Sequence, residues 1–128
     1  MRLALAMTLV AAPALGQDFM EGAATFIDHC AGCHGAAANG DGPMAELLTI
    51  QPADLTRLSE RNGGVFPLTR VVERIDGTTE MQVHGGPMPI FGLLLDGPLV
   101  VMAAPDGSDV EAPENIANIA AWLMEIQR

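Results

Sequence analysis

Two cysteines and a histidine stand within five consecutive residues, Cys30-Ala31-Gly32-Cys33-His34, and the chain has no other cysteine. On a helix these side chains fall at i, i+3 and i+4, so both sulfurs and the imidazole leave one face within a single turn. No other feature constrains the fold as much. Whatever this turn holds must be approached from one side and enclosed by a chain of only 128 residues.

A structural zinc site would need two further ligands at sensible spacing, and no cysteines remain to supply them. A thioredoxin-like dithiol would sit in a βαβ pattern, which is missing here. C-x-x-C-H is instead the spacing at which haem is attached through two thioethers. The expected cofactor is one covalent haem c with its iron, bonded to Cys30 and Cys33 and ligated on the proximal side by His34.

The N-terminal residues supply a compartment for that chemistry. Arg2 precedes an apolar run over residues 3–12, then Pro13 and the small residues Ala14 and Gly16, the pattern of a secretory signal peptide. Cleavage after Gly16 is expected, giving a signal peptide over 1–16 and one mature domain over 17–128. The run is too short to span a bilayer. Beyond it the longest uninterrupted apolar stretch is residues 99–104, so a soluble periplasmic protein without a membrane span is expected.

The mature chain carries five arginines, no lysine and sixteen acidic residues, a formal charge of −11. Nucleic acid and anionic membrane surfaces are therefore poor partners. Four of those arginines lie between positions 57 and 74. The ordinary reading places Arg57/Arg61 and Arg70/Arg74, each spaced i, i+4, on solvated helix faces. The sharper reading gives them haem propionates to bind, because a guanidinium fork matches a carboxylate.

Helical periodicity covers most of the rest. Apolar or small residues at 19, 22, 23, 26, 27 and 30 predict a first helix running into the cysteine motif. Glycine, proline and asparagine then predict loops over residues 35–54, with a short helical piece among residues 44–50. Asp54 is a plausible cap for a short helix ended by Asn62-Gly63-Gly64. Pro67 opens the next helix and Gly77 closes it. Pro113 begins the last, with Ile116, Ile119, Ala120, Leu123 and Ile126 in one stripe flanked by Trp122. No alternating pattern is long enough for a sheet, although Asp96-Gly97 between apolar runs signals a hairpin insertion before that helix.

Gly22, Phe26 and Trp122, together with the haem motif and Gly86-Pro87-Met88-Pro89-Ile90-Phe91, make the mature chain resemble the class I cytochrome c family along nearly all its length. The resemblance implies an all-α single domain wrapped around one haem, with its first and last helices crossing at Gly22 beside the two aromatic rings. It also implies Met88 as the distal iron ligand, 54 residues beyond His34. Met81 and His84, in the same loop, are its rivals. Met1 and Met7 depart with the signal peptide, while Met20, Met44, Met102 and Met124 read as apolar filler. His29 reads as a surface residue. His34 needs an acceptor for its other ring nitrogen, which the family takes from a proline-containing loop; Pro43 is the better match and Pro52 the second.

Two axial protein ligands leave iron no open position, so the expected function is outer-sphere electron transfer by iron cycling between Fe(II) and Fe(III). The chain is then a carrier and not an enzyme, either free or as the cytochrome subunit of a dehydrogenase complex. The alternative is a ligand-binding or peroxide-reducing haem protein with an open or labile sixth site, for which His84 is the evident distal acid-base residue. Residues 93–102 read either as a flap packed on the core or as an apolar docking surface. In the second case the acidic surroundings would steer a redox partner with a basic docking surface.

Overall fold

The computed structural model describes residues 17–78 and 87–128. The expected signal peptide over 1–16, and Met81 and His84, lie outside the described residues. Helix α1 is Phe19–His29 and α2 is Ala31–His34. Short 3-10 turns follow at Ala45–Leu47 and Leu55–Arg57, the second leading into α3, Leu58–Arg61. Helix α4 is Leu68–Asp76, strands β1 and β2 are Leu99–Ala103 and Asp109–Pro113, and α5 is Glu114–Glu125. Among the described residues the fold is mostly helical, with one antiparallel two-stranded sheet.

Helix α1 starts at Asp18, whose carboxylate accepts from the Met20 and Glu21 amides, satisfying two of the orphan donors of the first turn. The Asp18 amide in turn donates to Oδ1 of Asn118 on α5 at 2.8 Å, so the cap joins the first helix to the last. Gly22 shows how closely those helices cross. A Cβ at this position would stand 2.0 Å from the Asn118 carbonyl oxygen. Any side chain there would force the two backbones apart. Beside the crossing, Phe26 is 1 % exposed and its ring lies 4.6 Å from that of Trp122, tilted at 45°. Burying such a ring contributes about 2–3 kcal/mol, and the tilted pair adds to it.

Helix α4 contributes Leu68, Val71, Val72 and Ile75 to the same core, the i, i+3, i+4, i+7 spacing of one helical face. Pro67 precedes it, and Gly77 ends it in the left-handed region with φ +91°. The segment after residue 86 is pinned to that end. The Phe91 amide donates to the Ile75 carbonyl at 3.0 Å, while Gly77 leaves room for the Ile90 side chain and Gly92 for the Asp76 carbonyl.

The hairpin exists, but its turn is not Asp96-Gly97. Leu99 pairs with Pro113 and Ala103 with Asp109, and the chain reverses through Asp106-Gly107, where Gly107 has φ +88°. Asp106 accepts from the Ser108 amide and hydroxyl, and the Gly107 amide donates to the Ala104 carbonyl. A two-residue turn at Asp96-Gly97 would need residue 98 to donate a closing hydrogen bond, and proline has no N–H. Residues 93–95 instead curl back, with the Leu94 and Leu95 amides on the Phe91 carbonyl. The alternation hidden in the uniformly apolar β1 shows in its burial. Met102 is buried and Val100 half-buried, while Leu99 and Val101 are exposed.

Among the described residues no helix is long and apolar enough to cross a membrane. Gly22→Ala should destabilise the protein by about 2 kcal/mol net, because backbone overlap outweighs the gain in helix propensity. Denaturant unfolding measures this, and an unchanged midpoint would contradict the close crossing.

Candidate haem-attachment site

The cysteine motif is built as a helical turn hinged on Cys30. That residue caps α1 through its amide on the Phe26 carbonyl and then begins α2. The Cys33 and His34 amides both donate to the Cys30 carbonyl, at 3.2 and 2.9 Å. This closes the turn that the i, i+3, i+4 reading requires. Cys30 is buried, Cys33 and His34 are half-buried, and His29 is exposed, as expected. Before haem is attached, burial, with the neighbouring Cys33 second, pushes the free Cys30 thiol up to about 11. The ring of Phe26 lies 6.5 Å from that of His34, linking the helix crossing directly to the motif.

Nδ1 of His34 lies 3.0 Å from the carbonyl oxygen of Ala53. A carbonyl can only accept, so Nδ1 carries a proton, and Nε2 is the ring nitrogen left to offer a lone pair to a metal. The acceptor is therefore neither Pro43 nor Pro52 but the residue after Pro52. Pro43 is drawn onto the motif's own backbone, because the Gly42 amide donates to the Cys33 carbonyl and the Met44 amide to the Gly32 carbonyl. Gly42 itself leaves no room for a Cβ against the backbone of residues 31–33. The loop that follows packs over the turn and brings residues 51–54 beside His34.

The Pro52-Ala53 peptide is held from a second side. A Cβ on Gly40, which has φ +82°, would stand 2.4 Å from the Pro52 carbonyl oxygen. The Gly40 amide donates to the His34 carbonyl at 2.7 Å, the Leu55 amide to Ala38 at 2.7 Å, and Gln51 Nε2 to Gly40 at 2.9 Å. Ala38 is fully buried and adopts φ +60°, a conformation alanine takes only when its surroundings enforce it. Asp54 opens the next turn by accepting from the Thr56 hydroxyl and amide, at 2.6 and 2.9 Å. The hydroxyl contact is the main reason its carboxyl lies below the usual range.

Met88 is half-buried and packs against the main core, as does Phe91. Of the other methionines, Met102 is buried and Met124 partly so, as filler should be. Met20 and Met44 are exposed instead. Met44 lies over the motif, its sulfur 3.7 Å from where a Gly32 Cβ would stand. Arg57 is paired with Glu60 and Arg61 donates to the Asp54 carbonyl; these two with Arg70 are exposed and Arg74 is half-buried. Sequence reasoning passed over Ala53, Asn118 and the pair Gln127-Arg128. Asn118 lies off the apolar stripe of the last helix and is buried against α1, so no local pattern marked it.

The cytochrome c family model matches residues 19–127, and the chain belongs to that family. Its cofactor is covalent haem c with iron, and the family's chemistry is haem-based electron transfer. The chain matches no curated protein and no solved structure.

The depressed Asp54 carboxyl gives a pH signature. Its contribution to stability is complete above its ordinary value of 3.8 and is lost as pH falls through the lower folded value. Thr56→Val should flatten that part of the stability profile. Thermal unfolding between neutral pH and pH 3 checks this, and parallel wild-type and variant profiles would contradict it.

Proposed function

We propose that this chain is a periplasmic one-electron carrier, working free or as the cytochrome subunit of a dehydrogenase complex, and not an enzyme. In this reading Cys30 and Cys33 form the thioethers, His34 is the proximal iron ligand and Met88 the distal one. The observation that carries it is the Nδ1–H bond from His34 to the Ala53 carbonyl. It fixes the tautomer in which Nε2 can bind a metal and leaves that nitrogen on the same turn as both thiols. Haem, when bound, supplies the Fe(II)/Fe(III) couple.

The donor set fits that group. Two thiols one turn apart suit double attachment, a neutral imidazole suits iron, and a thioether at the core margin is a weak donor that favours the ferrous state. Met88 stands between Pro87 and Pro89, which stiffen its backbone, and the chain beyond is anchored to α4 through Phe91. Phe26, Trp122 and the α1–α5 crossing keep the motif turn from shifting between oxidation states. Small reorganisation is what an electron carrier needs.

The signal-like residues 1–16 support export, which the attachment chemistry requires. The outer face of the hairpin offers Leu99 and Val101 beside Glu111 and Asp109. With the acidic excess of the whole chain, this face suits a redox partner whose apolar contact is rimmed by basic residues.

The periplasm-matured protein should cycle reversibly by one electron and bind carbon monoxide or cyanide only slowly. Met88→Ala should bind carbon monoxide rapidly. Rapid binding by the wild type would overturn the carrier reading and favour a ligand-binding or peroxide-reducing haem protein.

A further inference from the structure

We propose that Gln127 and Arg128 are positioning residues that set the reduction potential by holding the Ala53 carbonyl against His34. The inference rests on His34 as the iron ligand and adds a control element from the far end of the chain.

Arg128 spans both loop segments that meet at His34. Its Nε donates to the Thr56 hydroxyl at 2.8 Å and its Nη2 to Oδ1 of Asn39 at 3.1 Å. Its amide donates to the Thr56 carbonyl at 3.0 Å. Gln127 completes the clamp, with Nε2 on the Leu55 carbonyl at 2.8 Å and on Leu123 at 2.7 Å, and Oε1 accepting from the Ser59 amide at 2.9 Å. Asn39 adjoins Gly40, the residue pressed against the Pro52-Ala53 peptide and bonded to the His34 carbonyl. The clamp, the two loop segments and His34 thus form a closed ring of hydrogen bonds that contains the Nδ1–H to Ala53 contact.

Charge is not the working element. The Arg128 to Asp54 ion pair is 3.6 Å long and the arginine side chain is 64 % exposed, so screening leaves it little strength. What a guanidinium adds is a planar fork that fixes two acceptors on different segments at once. A firm acceptor on Nδ1–H makes the imidazole a stronger donor, which favours ferric iron and lowers the potential. Loosening the clamp therefore raises it.

Two variants test this without altering net charge, Arg128→Lys and Gln127→Ala, each matured with haem. Both should raise the reduction potential measured by voltammetry. Both should also speed solvent exchange of the His34 ring N–H, followed by NMR, by about tenfold, the effect of losing roughly one net hydrogen bond. Wild-type potential and wild-type exchange in both variants would overturn the clamp, even if their melting temperatures fell. Faster exchange with an unchanged potential would instead overturn His34 as the ligand through which the clamp acts.

Discussion

The contact between Gly22 and the Asn118 backbone sets how near the first and last helices lie, and the site depends on that distance. With the helices close, Phe26 reaches Trp122 on one side and His34 on the other. Asn118 meanwhile ties the start of α1 to α5. The cysteine turn follows directly from α1, so it inherits that helix's position. A chain this small has little core to spare, and Phe26, its most deeply buried ring, stands where the motif needs support.

A second constraint acts from the opposite direction. The loops over residues 35–56 contain little regular structure, yet their backbone groups are joined to one another and to the motif. Gly42 meets the Cys33 carbonyl, Gly40 the His34 carbonyl and Leu55 the Ala38 carbonyl. Positions 40 and 42 admit no Cβ, so glycine there is a steric requirement. These loops carry the acceptor for His34, and the residues after α5 fasten them to the rest of the protein.

Much of this was legible because short-range chemistry determined it. The C-x-x-C-H turn, the cap at Asp54, the Pro67 start and Gly77 stop of α4, and the stripe on α5 each follow from residues adjacent in sequence or one turn apart. The hairpin was legible as an insertion and misplaced as a turn. Asp96-Gly97 and Asp106-Gly107 carry the same dipeptide signal, and only the missing N–H of Pro98 separates them. The His34 acceptor was placed in the right kind of loop but on the wrong residue. Which carbonyl points inward depends on the packing of Gly40 and Gly42, contacts between segments that no local pattern announces. Gln127 and Arg128 were silent for the same reason, since their partners lie about seventy residues away.

In the proposed coordination one helical turn supplies both thioethers and one axial ligand while Met88 supplies the other. The optical spectrum of the periplasm-matured protein in both oxidation states tests it most directly, through the weak far-red band of a ferric iron–thioether bond. That band should be present in the wild type and in Met81→Ala, and lost in Met88→Ala. A wild-type ferric spectrum that is high-spin and lacks the band would contradict this coordination.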